Sequence, residues 1–120
     1  MAGKLTTHVL DTANGCPAAG LAIALWSVQP ETGETVLLKE VKTNADGRTD
    51  SPLLVDDAFA VGVYELIFEV GSYFSEKDPT LPTPFFLDRV PLRFGIADAS
   101  SHYHVPLLTS PWSYSTYRGS

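Results

Sequence analysis

From Lys4 to Asp11 the chain reads KLTTHVLD, with Leu5, Thr7 and Val9 in one row and Thr6, His8 and Leu10 in the other. Successive side chains of a strand point to opposite faces of a sheet, so this period of two predicts a half-buried strand ending at the turn-prone TANGCP. AIALWSVQ (22–29) and TVLLKEVKT (35–43) flank PETGE and read as a hairpin. NADGR (44–48) is an Asp-Gly turn, which supplies the positive φ a tight turn needs and delivers Arg48 to a loop or strand edge. GVYELIFEV (62–70) is a predicted strand with Tyr64, Leu66, Phe68 and Val70 in step, and SYFSEKD after it predicts one or two helical turns. DPTLPTPFF (78–86), with three prolines, predicts an irregular crossing loop. Strand character resumes in DRVPLRFGI (88–96), where Pro91 cannot donate to a ladder and points to an edge or a bulge. SHYHVPLLTS (101–110) and SYSTYRG (113–119), separated by Pro111 and Trp112, close the chain as a pair of strands. Seven or eight short strands with no internal repeat and no linker predict an all-β sandwich or barrel in a single domain over 1–120.

Composition narrows the function classes. A chain of 120 residues, 44% of them hydrophobic, can bury a core without a metal or a disulfide. Fourteen acidic residues against eight basic ones give a net charge of −6, a field that repels a phosphate backbone, so nucleic acid is not an expected partner. No apolar run approaches the ~20 residues that span a bilayer, and MAGKLTTHVL lacks the layout of a secretory signal; no membrane partner and a cytoplasmic location are expected. Cys16 is the single cysteine, so no intrachain disulfide can form, and beside Pro17 it reads as a small packing residue.

The period of two also sorts the polar residues. His8 shares a face with Thr6 and Leu10; His102, His104, Pro106 and Leu108 share one face of their strand, opposite the core-like row Tyr103, Val105 and Leu107; Ser113, Ser115 and Tyr117 lie opposite Tyr114, Thr116 and Arg118. Were the three strands neighbours, His8, His104, Ser115 and Tyr117 would meet outside the core. Imidazoles that titrate near neutrality, hydroxyls and an arginine together suit water activation and hydrolysis. Taken singly each has a plainer reading: a strand histidine is usually solvated, His102 has no distinguishing context, and Arg48 and Arg118 are ordinary surface charges. The HYH pair has no Cys or carboxylate at a useful spacing, so no metal site is expected.

LTTHVLDTANGCPA, NADGRTD, GVYELIFEVGSYF, FFLDRVPLRFGI and HYHVPLLTSPWSYSTYRGS, which span nearly the whole chain, resemble the 5-hydroxyisourate hydrolases, the enzymatic relatives of transthyretin. The closing YRGS is the most specific of these, since the hormone-carrying transthyretins resemble the chain in SPxSYST but lack that end and both key histidines. The resemblance implies a transthyretin-like sandwich of two four-stranded sheets with one short helix after the fifth strand. It implies subunits paired through edge strands and stacked as a dimer of dimers, a homotetramer with a channel at the dimer–dimer interface. The last strand would then be held by neighbours on both sides, with its tip in the site.

The activity implied is opening of 5-hydroxyisourate to 2-oxo-4-hydroxy-4-carboxy-5-ureidoimidazoline in urate degradation, a cyclic-amide hydrolysis needing no cofactor. Residue by residue, the resemblance places catalytic roles on His8, Arg48 and His104. Substrate contacts fall on His8, Arg48, Tyr117 and the terminal Arg118, Gly119 and Ser120, with Ser115 helping. A carrier of small aromatic ligands, using the same channel without reaction, is the alternative. Thr109, Trp112 and Ser113 depart from the family's usual residues; Thr109 shares a face with Val105 and Leu107, so its departure is expected to adjust packing.

Overall fold

The computed structural model describes residues 3–119. Along β1 (Lys4–Asp11) the row Leu5, Thr7, Val9 and Asp11 is buried and the alternate row is not, as the period of two requires. This strand sits inside a sheet of order β2-β1-β8-β9, formed with β2 (Cys16–Pro17), β8 (His102–Thr109) and β9 (Tyr114–Thr116). The two-residue β5 (Leu54–Val55) pairs with the beginning of β1. The second sheet has the order β4-β3-β6-β7, from β4 (Thr35–Lys42), β3 (Ala22–Val28), β6 (Gly62–Glu69) and β7 (Arg89–Ile96). The expected pair of sheets is therefore present, the second with four strands and the first with five, because the two-residue β5 adds to the order β2-β1-β8-β9. Neither β2 nor β5 was expected; two residues carry no readable period.

β1 and β8 run parallel, Thr6 opposite His104 and His8 opposite Pro106. Parallel neighbours need a long crossover, and here the whole second sheet lies between them in the chain. The inward rows of the two sheets interlock: Leu5, Val9 and Leu107 from one meet Leu25, Leu66 and Phe68 from the other, all buried in one cluster. Each such side chain contributes about 1.5–3 kcal/mol through burial. Thr109, inward and fully buried, donates from its hydroxyl to the carbonyl of Ser110, a packing role that agrees with its face.

The hairpin β3–β4 forms as predicted, with a bulge at Leu25/Trp26 that leaves Leu38 without an opposite residue. β7 is an edge strand, which accommodates Pro91. The helix α1 (Val70–Lys77) starts earlier than SYFSEKD suggests. Val70 keeps step with Phe68 and is buried, so the alternation reads through a residue that is already helical. Tyr73 ties the helix to the first sheet: its hydroxyl donates to Asp11 at 2.8 Å, and Asp11 also accepts the N–H groups of Ala13 and Asn14. Burial, and then the Asp11 carboxylate, push the Tyr73 phenol well above its ordinary range.

The last strand is shorter than SYSTYRG, and among the described residues of one chain β9 pairs with β8 alone, so the second neighbour that the resemblance implies would come from a partner subunit. The ladder stops where β8 offers Pro106, which has no N–H to give. The Pro106 carbonyl instead accepts the Thr116 hydroxyl at 2.7 Å. The register nonetheless persists, because Gly119 forms a bridge with His104.

Candidate active site

The strand order β1-β8-β9 places the outward rows of all three strands on one face of the first sheet. Lys4, Thr6 and His8 come from β1, His102 and His104 from β8, and Ser115 from β9, opposite Leu108. The rows of His8, His104 and Ser115 thus lie side by side, whereas Tyr117, beyond the end of β9, lines a separate cavity with Tyr103, Val105, Thr116 and Arg118. A recess of about 430 Å³ opens on the face of the three rows, lined by Lys4, Thr6, Arg48, Asp50, His102 and His104 among others.

Arg48 reaches this face through its turn. Asn44 Oδ1 accepts the N–H groups of Asp46 and Arg48, and Gly47 turns the chain at a φ of 75°. A Cβ on Gly47 would meet the Val9 carbonyl oxygen, so only glycine lets the turn lie this close to β1. Val9 N–H donates to the Gly47 carbonyl at 2.8 Å, and Arg48 pairs antiparallel with His8. The same turn orients the imidazole: His8 Nε2–H donates to the Asp46 carbonyl at 2.9 Å, which leaves Nδ1 as the unprotonated nitrogen of the neutral ring.

His104 is held on two sides. Its Nδ1 lies 2.8 Å from Thr6 Oγ1, and a Cβ on Gly119 would stand 3.0 Å from its Cδ2. His102 Nε2 lies 2.7 Å from the same Thr6 oxygen. Burial first, and then the charges of Arg48, His102 and His8, hold the His104 imidazole below its ordinary value of 6.5; burial and Lys4 lower His102 in the same way. Both rings are therefore neutral at physiological pH, the state in which an imidazole accepts a proton. The arrangement offers group types that suit hydrolysis: neutral imidazoles able to take a proton from water, and the Arg48 guanidinium on the same recess, able to stabilise an oxyanion.

A model of the HIUase/Transthyretin family matches residues 5–119. The chain belongs to the HIUase/transthyretin family. A 5-hydroxyisourate hydrolase 2 of Rhizobium meliloti (strain 1021) is 58% identical over 118 residues, 98% of this chain and 97% of that protein. Among solved structures, (S)-allantoin synthase superposes with a TM-score of 0.92 at 51% identity, over 99% of this chain but only 44% of that one. Sea bream transthyretin in complex with thyroxine superposes at 0.85 and 26% identity, over 97% of this chain and 94% of that one.

Within this family fold, the expected site residues divide into three groups. His8 pairs with Arg48 and His104 with the backbone of Gly119, and Ser115 lies farther along the same face, while Tyr117 lines the cavity that also holds Thr116 and Arg118. Arg118 turns away: its guanidinium lies 4.1 Å from the centre of the Tyr103 ring, on the opposite side of the sheet, as its parity with Thr116 requires. Ser120 lies outside the described residues. Among the described residues no group of three or more His, Cys, Asp or Glu side chains gathers as metal ligands. Thr6, Lys4 and His102 also belong to the face but were not singled out. The spacing of His102 and His104 was the available signal, and it lacked meaning until Thr6 was set between them.

Proposed function

We infer that the chain hydrolyses 5-hydroxyisourate to 2-oxo-4-hydroxy-4-carboxy-5-ureidoimidazoline, a step of urate degradation. The reading is supported by its curated relatives, of which the Rhizobium meliloti hydrolase is 58% identical. It is carried by the meeting of His8, His104 and Arg48 on one outward face. A water between His8 and His104 loses a proton to one imidazole as its oxygen attacks the ring carbonyl. Arg48 orients the substrate oxygens and stabilises the oxyanion through charge-assisted hydrogen bonds. Lys4 and Arg48 make the recess locally cationic in a chain of net charge −6, which suits a reaction whose product bears a new carboxylate. Tyr117, Ser115 and the terminal Arg118, Gly119 and Ser120 contact the substrate; Arg118 does so only if its side chain leaves Tyr103.

The working form in this reading is a cytoplasmic homotetramer, a dimer of dimers. The outer edges of β7 and β9 are unpaired among the described residues, which supports pairing of subunits there. Tyr117 is 60% exposed beyond the end of β9, where a facing subunit would cover it. No helix among the described residues is long and apolar enough to cross a membrane. The carrier reading draws on the likeness to transthyretin. To separate the two, 5-hydroxyisourate is generated from urate by urate oxidase and its ultraviolet absorbance followed with and without the protein. Decay faster than the spontaneous rate supports the hydrolase; calorimetric binding of thyroxine with no acceleration supports the carrier.

A further inference from the structure

Thr6 Oγ1 lies 2.7 Å from Nε2 of His102 and 2.8 Å from Nδ1 of His104. A threonine hydroxyl has one proton to donate, so it can donate to only one of these rings, and the other contact is a hydrogen bond only when that ring donates to the oxygen. The tautomers of two histidines are thereby coupled through a single atom. The His104 ring is oriented so that this coupling matters. Its Cδ2 edge rests on Gly119 and its Nδ1 faces Thr6, while its Nε2 has no hydrogen-bond partner among the described residues.

We propose that His102 is a positioning residue for His104, acting through the Thr6 hydroxyl to keep His104 Nε2 bare and able to take a proton. The proposal rests on the hydrolase reading above. In the resting arrangement His104 Nδ1–H donates to Thr6 Oγ1, and Thr6 O–H donates to His102 Nε2. When His104 Nε2 takes the proton of the attacking water, the Nδ1 proton passes to Thr6 and the Thr6 proton passes to His102. One O–H bond of water, one N–H and the threonine O–H break; two N–H bonds and a new threonine O–H form. The positive charge comes to rest on His102, and His104 is left neutral with a proton on Nε2. It can then give that proton to the leaving ring nitrogen while the relay runs backwards, so one imidazole serves as base and then as acid.

The charges around the two rings favour this division. His104 faces Arg48 from the Asp-Gly turn and His8 from β1, whereas the charge pressing on His102 is that of Lys4. An imidazolium on His104 would meet two basic neighbours in a more desolvated position, and the relay avoids forming it.

The test uses the full chain with 15N-labelled histidine. Ring resonances are recorded for the wild type, Thr6→Val, Thr6→Ser, His102→Leu and His102→Gln, alongside the pH profile of 5-hydroxyisourate hydrolysis. In the wild type His104 should carry its proton on Nδ1. Thr6→Val and His102→Leu should shift it towards Nε2 and lower kcat roughly 10- to 100-fold, within the ~10²–10⁴ worth of a general base, with little change in KM. Thr6→Ser should restore both properties. His102→Gln keeps an acceptor for Thr6 but cannot take a proton, so it should preserve the tautomer and still lower kcat; it also serves if the leucine variant does not fold. An unchanged His104 tautomer in His102→Leu, or full kcat in His102→Gln, overturns the proposal. An inactive wild type overturns the hydrolase reading alone, the ring tautomers still deciding the coupling.

Discussion

Gly119 lies antiparallel to His104, its N–H donating to the His104 carbonyl at 2.7 Å while the His104 N–H returns a longer bond of 3.4 Å. The chain end is thereby laid against the imidazole that faces the recess. Because β8 breaks its ladder at Pro106, this bridge is what brings the segment after Tyr117 back to the sheet.

Gly119→Ala should therefore act on turnover more than on stability. The new Cβ would stand 3.0 Å from Cδ2 and 3.2 Å from Cβ of His104, so either the ring or the chain end must move. Misplacement of a reacting group by about 1 Å costs up to ~10²-fold in rate. The expected result is a loss of roughly tenfold or more in kcat, with a melting temperature close to wild type, read by hydrolysis kinetics and thermal unfolding.

Gly47→Ala should damage both. It forces a side chain into a turn held at a φ of 75° and drives its Cβ against the Val9 carbonyl oxygen. Strain of this kind costs about 1–3 kcal/mol, and relief by moving the turn displaces Arg48 and the Asp46 carbonyl that holds His8. A lowered melting temperature together with a fall in kcat/KM is expected.

The outward face was legible because a period of two needs no knowledge of pairing. It put His8 with Thr6 and His104 with His102, and it set Arg118 on the other side. Tyr117, which it put with Ser115, lies beyond the end of β9 and lines the cavity of Arg118 instead. What it could not supply was contact across 96 residues of chain, the separation between Thr6 and His102. His102 looked ordinary for that reason, since its meaning comes from a hydroxyl on a parallel neighbour. The assembly drawn from the resemblance went further than one chain can carry: β9 has a single neighbour here, so its second edge is a matter for a partner subunit. Val70 misled for a local reason, as an apolar β-branched residue in step with the strand that already belongs to the helix.

Lowering the pH should affect rate and stability in the same direction. His104 and His102 titrate below 6.5 in the folded chain, so the folded state binds fewer protons than the unfolded one as the pH falls past 6.5. Stability rises with pH wherever the unfolded state binds more protons, so it is full above 6.5 and declines as the pH drops through that value towards the folded pKa values. The acid limb of kcat/KM should fall below 6.5 for the same reason. Melting temperatures between pH 8 and pH 5 should slope less in His104→Asn than in the wild type; equal slopes would show that His104 titrates normally.

The proposed function requires hydrolysis at the face of His8, His104 and Arg48. Its most direct test is the decay of freshly generated 5-hydroxyisourate with wild type and His104→Asn at equal concentration, both first shown to be folded by circular dichroism. Loss of a general base predicts a fall of ~10²-fold or more in the catalysed rate for the variant, with the wild type far above spontaneous decay. Equal acceleration by both proteins would remove His104 from the reaction and move the chemistry elsewhere on the molecule.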